Sequence, residues 1–159
     1  MVKALENNKG YDIHMEVAVK NNFFGRLIYK SKTSGNEVMW NNYGDVNYLT
    51  IDELITMRNT QNSFFKNNWV IIDEGDETVD ILKFLQVYRY YENTFKCSAE
   101  DLVKDTPTMI KKKISLVPKE ARNNLVVSIQ NLIENGEIDS IKKIKAFEDA
   151  LGVSFGDFI

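Results

Sequence analysis

The sequence predicts an α+β fold in which a β-rich unit over residues 1 to 76 is followed by a helical unit over residues 77 to 159 packed against it. Three observations lead there. Apolar residues recur with period two up to about residue 50, as in strands with one buried face. Beyond Glu77 they recur with helical spacing. Helix start and stop residues then punctuate the second half at short intervals. In more detail, the first unit is expected to be a small antiparallel β-meander or partly open barrel with one or two inserted helices. The second is expected to be a bundle of four to five short helices.

The first strand is expected near residues 12 to 20, where Ile13, Met15, Val17 and Val19 alternate with His14, Glu16 and Ala18. A second covers Phe24 to Ser31. Lys32 to Asn36 reads as a turn, because Gly35 and Asn36 tolerate the positive φ of tight hairpin loops, and Glu37 to Trp40 is the returning strand. Asn41 to Asp45 is a second turn and Val46 to Leu49 a further strand. At Thr50 the period changes. Thr50-Ile-Asp-Glu53 fits a capping box, with the hydroxyl taking the N3 amide and Glu53 reaching back to the cap, so a helix starts at Ile51. It presents Ile51, Leu54, Ile55 and Arg58 on one side, and the amide-rich 59 to 62 stretch bends or interrupts it before Ser63. Trp69 to Asp73 reads as a short buried strand closing the sheet.

In the second half, Glu77 to Leu85 and Val87 to Phe95 read as two short helices or one bent helix. Ser98 is an N-cap with acids behind it, and Thr106-Pro107 places proline at the first helical position, where its missing N–H costs nothing. Pro118 repeats that arrangement. From Pro118 to Asn135 the residues Ala121, Leu125, Ile129, Leu132 and Ile133 share a face. Asp139 or Ser140 opens the last helix, with Ile141, Ile144, Phe147 and Leu151 as its stripe and Gly152 as a left-handed stop. The tail from Val153 to Ile159 is still apolar and is expected to pack down.

Composition excludes several classes of function. A single cysteine, Cys97, cannot form an intramolecular disulfide or a cysteine-based zinc cluster. The segment Met1 to Gly10 has no apolar run of the signal-peptide kind. The longest apolar-rich stretch, Val79 to Tyr91, is interrupted by Asp80, Lys83, Gln86 and Arg89 and is too short for a bilayer. The expectation is a soluble cytoplasmic protein, neither secreted nor membrane-bound. Net charge is −3 and evenly spread, with eight Lys/Arg against ten Asp/Glu up to residue 76 and twelve against thirteen beyond it. Bulk charge thus offers no basic arm for counterion release from nucleic acid.

No reactive constellation is legible. His14 is the only histidine, and a lone titrating group on a strand, without a nucleophile motif, reads as a surface residue. Cys97 has only Lys96 as a neighbouring cation and reads as a small residue at a helix boundary. The acids Asp73, Glu74 and Asp76 lack the spacing of a calcium loop. No Gly-rich phosphate loop, nucleophile elbow or zinc-binding helix motif occurs. The expectation is a protein that is not an enzyme and uses neither cofactor nor metal.

Two features stand out. Aromatic residues crowd the first half and its exit: Phe23, Phe24, Tyr29, Trp40, Tyr43, Tyr48, Phe64, Phe65 and Trp69, then Tyr88, Tyr90 and Tyr91. Trp40, Phe65 and Trp69 suit a small core with tyrosines half-buried around it. A surplus led by Tyr43, Tyr48, Tyr88 and Tyr90 suits a protein-contact surface, because aromatic anchors dominate binding energy. Second, Lys111, Lys112 and Lys113 and then Lys142, Lys143 and Lys145 form two clusters in helical segments. They read as solvated faces or, if brought together, as a modest phosphate-binding patch whose salt-sensitive binding to DNA a mobility shift at low salt would reveal.

The runs Gly25 to Tyr29, Glu37 to Gly44, Tyr48 to Asn59 and Phe64 to Trp69, with Ile138 to Gly152, resemble small uncharacterised structural or assembly proteins of large tailed bacteriophages. That resemblance covers about a third of the chain. It implies a virion or assembly component, such as a minor head, neck or tail protein, acting through protein–protein contacts. The partners implied are other protein subunits, a second copy of the chain included, with nucleic acid less favoured and no membrane. The competing reading is a phage-encoded intracellular effector that binds a host protein or nucleic acid, which a pull-down from host lysate separates from the first.

Overall fold

A computed structural model describes residues 10 to 156; the Met1 to Gly10 segment, apart from Gly10, and the last three residues of the tail lie outside it. The fold is α+β, with an N-terminal antiparallel β region in two small sheets followed by several short helices. The chain divides into two compact units, one running through Tyr91 and the other from Glu92. The expected boundary at residue 76 is therefore displaced by about one helix. The displaced segment holds helix α3 (Thr78–Phe84) and the Tyr88–Tyr90 turn. Its Ile81, Leu82, Leu85, Val87 and Tyr91 are fully buried, and Tyr91 Oη donates to Val70 O at 2.5 Å. A sheet face this small needs such a cover to bury its apolar side.

In the first unit, strand β1 (Glu16–Asn21) lies between β4 (Val46–Thr50) and β5 (Val70–Ile72), antiparallel to both. Strands β2 (Leu27–Lys30) and β3 (Glu37–Trp40) form a separate hairpin. The ladder order thus departs from a sequential meander, since β4 turns back to pair with β1 in the register Glu16↔Thr50 to Lys20↔Val46. Buried asparagines make this reversal affordable. Asn21 Nδ2 donates to Gly25 O and Asn42 O, and Asn22 Nδ2 donates to Asn68 O, satisfying carbonyls that leave the ladders. The strand expected from residue 12 begins only at Glu16. Residues 12 to 15 form a turn in which Asp12 accepts from the His14 and Met15 amides, the local alternative that aspartate side chains offer the backbone.

The two sheets meet through buried side chains. Val17, Val19 and Leu49 come from the inner face of β1 and β4, and Leu27, Tyr29 and Trp40 from the hairpin. Trp40 Nε1 donates to Val19 O at 2.9 Å. Helix α1 (Ile51–Thr60) starts where the capping pattern placed it, with Glu53 N donating to Thr50 Oγ1 at 3.1 Å. Its buried side is Ile51, Leu54 and Met57, while Ile55 is only half-buried. After α1 the chain breaks at Gln61, as the amide-rich stretch predicts, before the single turn α2 (Ser63–Lys66).

Among the described residues the second unit holds five α-helices: α4 (Glu92–Phe95), α5 (Ala99–Leu102), α6 (Pro107–Ser115), α7 (Asn123–Glu134) and α8 (Ile141–Leu151). Ser98, Thr106 and Ser140 cap α5, α6 and α8 with their hydroxyls as expected. Pro118 does not open an α-helix; it precedes a 3₁₀ turn at Lys119–Arg122. The Arg122 guanidinium donates to Val117 O and Ser115 O, tying that turn to the end of α6. The core joins Ile110, Ile114, Leu125, Ile129, Ile144, Phe147 and Phe155. Ile141, expected in the α8 stripe, is instead 69% exposed. It occupies the first turn, and the buried face rotates to Ile144, Ala146 and Phe147.

Candidate protein-contact surface

The parity of the ladders fixes which side chains and which backbone groups look outward. Asn21 N donates to Asp45 O and Ile51 N to Met15 O, so odd-numbered residues of β1 exchange hydrogen bonds with β4. The pairs Glu16↔Thr50, Ala18↔Tyr48 and Lys20↔Val46 are therefore the non-hydrogen-bonded ones, sharing the outer face of the sheet. On β1 their backbone groups point to β5, where Asp73 N donates to Ala18 O and Glu74 accepts from Ala18 N at 2.7 Å. On β4 they point away from the sheet.

The four tyrosines singled out in the sequence have different environments. Tyr48 is 65% exposed and makes no ring contact with another described residue. Tyr43 is half-buried, with its ring edge-on to Phe24 at 4.6 Å, and burial raises its phenol pKa. Tyr88 lies under Lys83, whose ammonium sits 5.2 Å from the ring centre. Tyr90 Oη accepts from Arg89 at 2.9 Å and from Asn62 at 3.1 Å, and the arginine bond lowers its pKa. Asn68 Nδ2 donates to the Tyr90 carbonyl. Tyr88 and Tyr90 thus belong to the structural turn that follows α3.

Apolar side chains that the sequence reading did not single out share the outer faces. Ile28 and Met39, directly opposite across the hairpin, are 46% and 40% exposed. Val46 stands two residues from Tyr48 on the same face. Such side chains are ordinary one at a time; a facing pair and a strand row are less so. The sequence carried a weak signal for them, because Leu27-Ile-Tyr has no alternation from which to choose the buried side.

The lysine clusters fall on α6 and α8, which pack together, but half of their charges are engaged within the unit. Lys111 pairs with Asp149 at 3.2 Å, Lys113 with Asp105 at 2.8 Å, and Lys143 Nζ donates to Val103 O at 2.6 Å. The Asp105 bond raises the Lys113 pKa. Lys112, Lys142 and Lys145 are exposed.

The remaining candidates for chemistry have structural partners or lie apart. His14 is exposed at the turn before β1. Cys97 is buried, and burial pushes its thiol up to about 11 despite the nearby Lys113. Glu77 accepts from Tyr11 Oη at 2.7 Å, so the 73 to 77 loop uses two of its carboxylates, those of Glu74 and Glu77, to hold the sheet. Among the described residues no group of three or more His, Cys, Asp or Glu is placed to hold a metal ion. No helix among them is long and apolar enough to cross a membrane.

No protein-family model, curated protein or solved structure matches the chain.

Proposed function

We propose that the protein is a virion or assembly component of a tailed bacteriophage that works by presenting the outer faces of its small sheets to other protein subunits. The observation that carries this reading is the outward row Val46–Tyr48 on β4, with a second exposed apolar pair, Ile28–Met39, on the outer face of the hairpin. A tyrosine left 65% exposed, with no intramolecular ring partner among the described residues, has the amphipathic character of an interface anchor. The phage assignment draws on the resemblance described above. The test is mass spectrometry of purified particles of the source phage. Stoichiometric presence is the expected result, and absence from particles overturns the reading.

A further inference from the structure

Among the described residues, three of the four strand edges in the first unit have an outward carbonyl capped by one of the chain's own side chains, and β4 has none. On β5 the outward carbonyls of Val70 and Ile72 accept from Tyr91 Oη and Thr78 Oγ1. On β2 the outward Lys30 carbonyl accepts from Gln61 Nε2 at 2.8 Å, and on β3 the outward Met39 carbonyl accepts from Asn47 Nδ2 at 2.8 Å. This is how a monomeric sheet avoids pairing with a stranger. The edge of β4 differs. No described residue donates to or accepts from the outward N–H and C=O of Tyr48, and β4 carries no lysine, proline or inward charge that would guard it. Asn47 reaches Met39 from the inner face it shares with Val19 and Leu49, so β3 approaches β4 from the core side.

We propose that this open edge is a homodimer interface, in which β4 of a second copy adds antiparallel about a two-fold axis at Tyr48. The proposal rests on the protein-contact reading above and names one contact within it. Tyr48 then exchanges both backbone hydrogen bonds with its symmetry mate, and Val46 faces Thr50 of the other copy. The result is a continuous six-stranded sheet with the order β5-β1-β4-β4-β1-β5. An isologous contact must be self-complementary, and this register is. Lys20 stands beside Val46 and Glu16 beside Thr50, so the two-fold places the cation of one copy in the same row as the anion of the other. The backbones are roughly 14 Å apart, three strand spacings, and the long side chains shorten that gap. The phenol rings meet over the axis, where aromatic pairs add to cross-strand stability.

The test compares the mass of the purified full chain in solution, by sedimentation equilibrium at micromolar concentrations, with that of Tyr48→Lys. The native chain is expected at twice the monomer mass. Tyr48→Lys sets two like charges across the axis and adds the edge lysine that discourages strand pairing, raising the dissociation constant roughly ten-fold or more. Circular dichroism establishes that the variant is folded. Tyr48→Cys gives a second readout, because the facing Cα atoms of a hydrogen-bonded pair lie about 5.5 Å apart, within disulfide range. An added oxidant is then expected to cross-link the dimer, with buried Cys97 a poor competitor. A monomeric native chain, a dimer indifferent to Tyr48→Lys, or a folded Tyr48→Cys variant that does not cross-link each overturns the proposal. Those outcomes leave the particle-association test untouched, so failure of the two-fold contact is distinguishable from failure of the assembly reading.

Discussion

Glu53 shows how far a residue's structural role can depart from its local pattern. Its spacing from Thr50 marks it as the back-reaching half of a capping box, yet its carboxylate instead accepts from Tyr29 Oη at 2.8 Å, Ser31 Oγ at 2.9 Å and Ser34 Oγ at 3.3 Å. Tyr29 and Ser31 are buried, so removing the acceptor strands the Tyr29 hydroxyl and leaves Ser31 Oγ only Thr33 Oγ1, at 3.2 Å, to donate to. Glu53→Ala is therefore expected to lower stability by about 1–3 kcal/mol in urea unfolding, and Tyr29→Phe on that background by much less than it does alone. The Lys111–Asp149 pair is the opposite case. Both side chains are about half exposed, at 52% and 54%. Water screens such a pair, and Asp149→Ala should change stability by less than about 1 kcal/mol.

At the scale of elements, ends are better specified than faces. Thr50, Ser98, Thr106 and Ser140 each accept the amide three residues on, where a hydroxyl before an apolar run predicts it. Thr50→Ala should cost about 0.5–2 kcal/mol, read as a lowered urea midpoint at unchanged slope. Gly152 ends α8 at φ +68°. An alanine there meets no steric neighbour but must hold a left-handed conformation, so Gly152→Ala should destabilise by about 1–2 kcal/mol in the same measurement. Faces were less legible. Ile55 and Ile141 lie on the expected stripes of α1 and α8, yet Met57 and Ala146 take the buried places. A period identifies a helix, but which neighbour covers it selects the stripe within about one residue's rotation.

At the scale of the whole molecule, acid–base behaviour follows from hydroxyls buried far from a compensating cation. Burial raises the phenols of Tyr11, Tyr29 and Tyr91 above the ordinary value, with Glu77 adding to the effect at Tyr11 and Glu53 at Tyr29. A raised pKa means that the folded chain keeps protons the unfolded chain has released. The associated stability is fully present below the ordinary tyrosine pKa of about 10 and is lost as pH rises beyond it. Cys97 follows the same sign, with its loss falling between about 9 and 11. Urea midpoints are thus expected to fall steeply above about pH 9. Tyr91→Phe should flatten the alkaline part of that curve while losing the Val70 hydrogen bond. Alkylation of Cys97 at pH 8 should be slow in the folded chain and fast in urea.

Local rules sufficed for the α+β class, the turn at Gly35, the break after α1 and the presence of several short helices in the second half, because each depends on residues within about five positions. Tyr48 was singled out only as one of the surplus aromatics, and its exposure is a finding of the structure. Ladder order, the displaced unit boundary and the sorting of the aromatics did not follow from local rules. Whether β4 pairs with β3 or β1 depends on buried amides such as Asn21 and Asn22 finding carbonyls up to 46 residues away. Whether a ring is anchor or core depends on who covers it: Tyr90 is held by Arg89 and Asn62, while Tyr48 is left uncovered. The sequence alone determined where the chain bends and which residue types can pair. Only tertiary structure decided which strand edge stays open, because hydrogen-bond satisfaction is a property of three-dimensional neighbours.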